Sequence, residues 1–581
     1  MRAWDILDSY RGSFFQGEWP SIPHMVKMTV DAFPSRIAFS IYRKEDKETY
    51  TYTQMYQRIL DIASFLDQQG ISKGDTVILN GKNSPQWGLA YLGILFSGAT
   101  VVPLDNQMPI DRVDSLSEFS EAKAIFADSD VLKKLGKKKW FNSISFSVSL
   151  DENSPTGSIN FSSIEEGGKE IAHTDYPDGE DTAAILFTSG TTGNEKGVIL
   201  THANFVSDVY QASDSEFLTI TEEDVLYALL PLHHSYAMTA IFLESLKIGC
   251  ELIFGPQMIV SKILQDLKLG NVTVFLAIPL LYNKLLAGLM KKVREKGIFA
   301  YGFIRLLMKV NGLSRSLFKI NHGKRWFKQL LDGIGMLENR ICICGGGPLS
   351  PKTFTEYQQL GLDFVQGYGL TETAPIITLN PVSHFKVKSV GKVFPLVEMR
   401  IADADLLGVG EVQVKGPNIC KGYMKDPEGT QELFTEDGFL RTGDLGFLDR
   451  ENYLYLKGRA KNLIVTEGGK NVYPEEIEDQ FQLYDQIEQI LIRGYVAHKF
   501  SKSEEIEAVI YPNPDYYTPR NLDANQIAKD IEKIVTDVNK KLIAYQKVTK
   551  TTILQHPMAM TSTKKIQRNK VTRTIDRLLK G

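Results

Sequence analysis

The sequence predicts an α/β protein, with two α/β layers and a small β-rich subdomain in a large N-terminal part and a smaller α+β C-terminal part. Three observations carry this. Helical patterns alternate with short β-branched runs through the N-terminal half; from about Val390 the texture turns to short strands between turn residues; after Gly458 helices and strands mix again. In chain order, YQRILDIASFLDQQG has apolar residues at helical spacing, DTVILN reads as a strand, AYLGILFSG as a buried helix leading into the strand ATVVPL, and AILF as another strand. Trp87 to Leu104 carries no charge over 18 residues, but Gly88, Gly93, Ser97, Gly98, Thr100 and Pro103 favour a helix and strand over a membrane span. EMRIAD, GEVQVKG and YLYLKG supply the β-rich subdomain. PEEIEDQFQL and NQIAKDIEKIVTDVNKKL as helices, with IEAVIYP and KTTILQ as strands, fill a module of roughly a hundred residues.

A chain of 581 residues that is 43% hydrophobic and 23% charged affords a folded core and excludes the disordered and disulfide-dense classes. Its formal charge of -4 calls for no nucleic acid or acidic polymer as partner. Four cysteines are too few to staple it. Cys342 and Cys344 share the apolar run ICIC, where alternate residues of a strand face one way, and Cys250 and Cys420 stand alone; reduced core thiols and a cytoplasmic location are expected. The N-terminus MRAWDILDSYRGSFFQGEW lacks the basic-then-apolar order of a secretory signal, so no export is expected.

From Lys284 to Lys328 about a dozen Lys and Arg face only Glu295, interleaved with Phe299, Tyr301, Phe303, Leu306, Leu307 and Phe318. Two readings stay open. The segment is either an amphipathic basic surface that makes peripheral contact with an anionic membrane, possible on the cytoplasmic face, or a solvated helical face with an ordinary buried stripe.

The strongest local signal is Thr188-Ser189-Gly190-Thr191-Thr192-Gly193-Asn194-Glu195-Lys196-Gly197, directly after the strand Ala183 to Phe187. Small hydroxyl residues and glycines let backbone N–H groups approach an oxyanion, and Lys196 adds a compact positive charge. Lys196 is not followed by Ser or Thr, and GVIL continues as a strand, so this is not the Walker pattern; a Gly/Thr-rich hairpin is the plain alternative. In Gln366-Gly367-Tyr368-Gly369-Leu370-Thr371-Glu372-Thr373 an aromatic suits a base, a hydroxyl a phosphate oxygen and a carboxylate Mg2+. Arg441-Thr442-Gly443-Asp444 follows a turn, and Gly458-Arg459 follows a short strand pair; Asp444 accepts from a ribose diol and Arg459 donates to sugar or phosphate, or both are ordinary turn and surface charges. TSTKKIQR near the C-terminus reads alone as a solvated tail.

Taken together, TSGTTGNEKG, PLHHSYAM, CGGGPLS, QGYGLTET, RTGD, GRAKNLIVTEGGKNVYPEEIE and TSTKKIQR resemble, in order and spacing, the adenylate-forming superfamily of acyl-CoA synthetases, adenylation domains and beetle luciferases. The resemblance spans essentially the whole chain. It implies that Thr188 to Lys196 bind the β- and γ-phosphates of ATP and that Gly346, Gly347 and Tyr368 embrace adenine, with Gly369 beside it. It further implies that Thr371 contacts the α-phosphate, Glu372 holds Mg2+, Asp444 and Arg459 hold ribose, Lys565 bridges the reacting carboxylate and phosphate, and His234 lies near the acyl carboxylate. A zinc site on His233 and His234 is not expected, because neighbours in a strand point to opposite faces.

By the same resemblance, residues 1–460 bind ATP and the acyl group, and residues 461–581 form a mobile domain turning about Lys461 to bring Gly468 and Gly469 against the pantetheine arm of CoA. Two positions depart from the family pattern: Glu195 replaces Pro, either loosening the loop or adding a carboxylate beside the phosphates, and Leu440 replaces the aromatic before RTGD. The long insertion between FLAIPLLYNKLL and ICICGGGPLS, with the TSTKKIQR form of the last motif, is most like long-chain fatty acid-CoA ligases. Fatty acid, ATP and CoA are the implied substrates, with acyl carrier protein as the alternative acceptor.

Overall fold

The computed structural model describes residues 2–189, 195–466, 470–482, 484–496, 504–561 and 565–578. The chain forms two compact units: Met1–Gly346 with Phe354–Glu398 and Lys415–Leu440, and Gly347–Thr353 with Met399–Val414 and Arg441–Gly581. The fold is mixed α/β, with a large multi-sheet N-terminal region, as the alternation of patterns predicts.

The first unit holds two sheets. One runs Gly422–Tyr423, Glu195–Thr201, Thr182–Ser189, Thr100–Pro103, Thr76–Asn80, Ala124–Ala127, Phe146–Ser149 and Ile159–Asn160. In the other, Asp363–Gly369, Ile341–Cys344, Val274–Ala277, Val225–Ala228, Glu251–Phe254 and Ile37–Arg43 are parallel neighbours, flanked by antiparallel strands. Parallel strands are covered on both faces. All four residues of Ile341–Cys344 are therefore buried, although their side chains alternate. All four cysteines are buried and unpaired.

The charge-free stretch is a buried helix, Pro85–Phe96, followed by the strand Thr100–Pro103. The Ser84 side chain accepts from the amide of Trp87, and Pro85 occupies the first turn, where its missing N–H costs nothing. A Cβ on Gly88 would stand 3.0–3.2 Å from Phe242, Phe254 and Phe39, so the helix lies directly against the second sheet. Such a helix is apolar all round because it is covered all round. No described helix is long and apolar enough to cross a membrane.

The two long helices of the basic segment are of opposite character. Pro279–Glu295 buries Leu281, Leu285, Leu286, Leu289 and Val293, an ordinary inward stripe. Ile298–Phe318 buries only Met308 and Asn311 and leaves Phe299, Phe303, Leu306, Val310, Leu313 and Leu317 exposed. The reading of a solvated face over a buried stripe holds for the first helix and fails for the second.

The second unit carries the strands Glu398–Ala402, Gly410–Lys415, Leu440–Leu448 and Tyr453–Arg459, the β-rich texture seen after Val390. Leu440, in the aromatic's place, is fully buried. A further sheet, Ile487–Tyr495, Glu505–Pro512 and Lys550–Ile553, packs with the helices Pro474–Phe481 and Ala524–Asn539 around Ile477, Phe481, Ile492, Ile510, Ile531 and Val538. The Asp523 side chain accepts from Gln526 N and that of Gln526 from Asp523 N, which fixes the start of the longer helix.

Candidate active site

In the first unit the phosphate-loop sequence joins two antiparallel strands, with Thr188 opposite Lys196 and Ser189 opposite Glu195. Gly190, Thr191, Thr192 and Gly193 lie outside the described residues. The Lys196 ammonium stands 4.3 Å from the Tyr423 ring centre and 3.6 Å from the Asp426 carboxylate. It is thus aimed by an aromatic face and one acid. Tyr423 arrives because Gly422–Tyr423 pairs with the same strand, opposite Ile199 and Val198. Its hydroxyl donates to Glu372 Oε1 at 2.8 Å. Burial, then the charge of Glu372, pushes the Tyr423 phenol far up, so it remains a donor.

Thr371 and Glu372 occupy a short 3-10 turn, Thr371–Thr373, at the end of the strand Asp363–Gly369. Asn418 Nδ2 donates to the carbonyls of Thr373 (3.0 Å) and Ile376 (2.8 Å), and the Asp208 carboxylate accepts from Ile376 N at 3.1 Å. Asn204, on the same helix as Asp208, donates to the carbonyls of Pro417 and Ile419. One buried helix, His202–Ala212, therefore fixes both the Glu372 turn and the segment leading to Tyr423. Ser235 Oγ lies 3.4 Å from Thr371 Oγ1. Oxygen donors from Glu372 and Thr371 suit a hard cation such as Mg2+.

Gly345 and Gly346 end the strand Ile341–Cys344, and a Cβ on Gly345 would fall 2.8 Å from the Tyr236 ring. Gly346 has φ +78°, a conformation suited to glycine. Tyr368 pairs across the sheet with Thr378. His233 and His234 lie in a turn, not a strand, and their rings sit 4.1 Å apart at 47°. The expectation that they point to opposite faces is corrected: a turn does not alternate its side chains. Burial pushes the His233 imidazole down to about 3, so it is neutral. Among the described residues no three His, Cys, Asp or Glu gather as a metal site. Glu195 does not stand bare at the loop but pairs with Arg112.

In the second unit, residues far apart in sequence come together. Asp444 and Arg459 face each other across antiparallel strands, with Arg459 Nε 3.0 Å from Asp444 Oδ1. Asp444 is buried, and its amide donates to Thr442 Oγ1 at 3.1 Å. Lys565 extends from a turn in which Thr561 N donates to Lys565 O and Lys565 N to Thr561 Oγ1. Lys565 is an exposed residue, yet protein crowds its ammonium. That crowding, then repulsion by Arg459, holds the Lys565 ammonium below the usual lysine range against the pull of Asp444. Lys461, on the turn Ala460–Asn462, is lowered in the same way, by burial and then Arg459. Gly347 belongs to this unit, and Gly468 and Gly469 lie outside the described residues.

Tyr423, Asp426, Asn204, Asp208 and Asn418 carry no motif, and only strand pairing and helix contacts bring them to the site. One sequence signal was available for the helix: Thr201 and Asn204 make the reciprocal side-chain caps of a helix start.

The chain is 24% identical to the chloroplastic long-chain-fatty-acid–acyl-carrier-protein ligase AEE15 of Arabidopsis thaliana, over 86% of this chain and 77% of that protein. It is 25% identical to the long-chain-fatty-acid–CoA ligase ACSBG1 of Mus musculus (80% and 67% covered). It is 26% identical to 4-coumarate–CoA ligase 4 of Arabidopsis thaliana (86% and 81%). ATP-bound MatB from Rhodopseudomonas palustris superposes with a TM-score of 0.74 at 25% identity, covering 95% of this chain and 99% of MatB. With residues 26–424 matching the AMP-binding enzymes, the chain belongs to that family of adenylate-forming, acyl-activating enzymes.

Proposed function

We propose that this enzyme joins a medium- or long-chain fatty acid to AMP, releasing pyrophosphate, and then transfers the acyl group to CoA. The observation that carries the first step is the Asp444–Arg459 pair, whose charges reach the ammonium of Lys565, more than a hundred residues farther along the chain. A carboxylate resists a thiol because its charge suppresses electrophilicity and oxide is a poor leaving group. Its oxygen would attack the α-phosphorus as the bond to the β-phosphate breaks, and a thiol then attacks the acyl carbon as AMP leaves. Asp444 and Arg459 would hold ribose, Lys565 would offset charge on the carboxylate and α-phosphate, and Lys196 would meet the outer phosphates. Thr371 would contact the α-phosphate, and Mg2+ on Glu372 would neutralise phosphate charge there. The long-chain ligases among the relatives support a fatty acid.

Residues 461–581 are proposed to turn about Lys461 between the two steps, so that Lys565 serves the first and the segment holding Gly468 and Gly469 the second. The reduced, buried cysteines fit a cytoplasmic enzyme. The resemblance to AEE15 favours one second reading, transfer to the phosphopantetheine of an acyl carrier protein. Acyl-AMP and thioester are measured separately, with CoA or holo acyl carrier protein as acceptor, in the wild type and in Lys461→Pro. Thioester with CoA, lost in Lys461→Pro while acyl-AMP persists, is expected. Thioester with carrier protein alone would overturn the CoA assignment, and equal loss of both steps would overturn the hinge.

A further inference from the structure

We propose that the helix Ile298–Phe318 lies in the surface of an anionic lipid bilayer and docks the enzyme there. The helix is amphipathic in the inverse sense: it turns its polar residues toward the protein and its apolar ones away. Arg305 Nη1 meets Glu356 at 2.8 Å, and Arg315 pairs with Asp363 and donates to the Gln358 carbonyl at 3.2 Å. Buried Asn311 donates to the Gln359 carbonyl at 3.0 Å and accepts from His322 N at 2.8 Å. These contacts seat the helix firmly on the segment 356–363.

On the far side, Phe299, Phe303, Leu306, Val310, Leu313 and Leu317 recur at alternating spacings of four and three and so form one stripe along the helix. Phe299 is 91% exposed and Leu317 64%. A stripe of this size and continuity marks an interaction surface.

Charge selects the occupant. Lys291, Lys292, Arg294 and Lys296 precede the helix, Lys309 flanks the stripe, and Lys319 and Arg325 follow it, all exposed, with Glu295 the one acid in the sequence from 284 to 328. A second copy of this chain would bring the same unbalanced cations against these. An anionic bilayer instead accepts both features, the apolar stripe at the acyl boundary and the cations at the headgroups. The helix lies on such a surface without spanning it, since no described helix is apolar enough to cross. The inference does not depend on which acid the enzyme activates.

The full-length protein is sedimented with vesicles of mixed phosphatidylglycerol and phosphatidylcholine and with vesicles of phosphatidylcholine alone. Binding to the anionic vesicles, weakened by salt and far weaker on the neutral ones, is expected. The combined Phe299→Ser, Phe303→Ser and Leu306→Ser variant should bind at least about tenfold more weakly, with its melting temperature unchanged. Charge reversal at Lys292, Lys296 and Lys309 to Glu should remove the preference for anionic vesicles. Absence of binding to anionic vesicles, or binding that both variants retain, would overturn the proposal. So would a dimer seen by light scattering that the serine variant dissociates.

Discussion

Replacing Lys565 by Met is expected to slow acyl-adenylate formation about 100- to 1000-fold, equivalent to roughly 3–4 kcal/mol of transition-state stabilisation. Charge builds on the phosphoryl oxygens as the carboxylate attacks, and Lys565 is the cation gathered beside the Asp444–Arg459 pair. Formation of thioester from supplied acyl-AMP and CoA should be nearly unaffected, because the proposed turn of residues 461–581 takes Lys565 away before that step. The same residue sets a pH dependence. Its ammonium is held below the ordinary lysine range, so the cationic form is present at low pH and lost as pH rises through the lowered value. The alkaline limb of kcat/KM for adenylation should therefore fall below the usual lysine value of about 10.4. Lys565→Arg should move that limb upward, since a guanidinium does not deprotonate in this range. A limb unchanged by Lys565→Arg would assign it to another group.

Gly369→Ala is expected to abolish pyrophosphate release and to cost about 3 kcal/mol or more of stability. A Cβ there would lie 1.5 Å from the Pro375 carbonyl oxygen, which belongs to backbone and cannot rotate aside. The same oxygen accepts from Leu370 N at 3.0 Å and from Thr373 Oγ1 at 2.6 Å, so relieving the clash pulls apart the turn that carries Thr371 and Glu372. Gly288→Ala is the control. No atom lies within 4 Å of a Cβ at that helical position, and alanine there should stabilise by about 0.5–1 kcal/mol, read as a small rise in melting temperature.

Much of the fold was legible because its signals are local. The charge-free run from Trp87 is a covered helix and strand, and the alternation of ICIC is a strand whose two faces are both buried. The motif residues lie where strands end, as Thr371 and Glu372 do after Asp363–Gly369. Other features were not legible because they are relations across the chain. Tyr423 meets Lys196 only through the pairing of a two-residue strand, and Asp444 meets Arg459 through the register of a hairpin. The alternation expected of His233 and His234 fails because the two residues lie in a turn, where side chains do not alternate. In the helix Ile298–Phe318, periodicity defined the apolar stripe but not its direction, which is set by where Arg305, Asn311 and Arg315 find partners.

Formation of fatty acyl adenylates is measured as ATP- and acid-dependent pyrophosphate release with acetate, benzoate, octanoate and palmitate, each with CoA present or omitted. Release with octanoate or palmitate, and a thioester only when CoA is added, is the predicted result. Release confined to acetate or benzoate, or none with any acid, would contradict it.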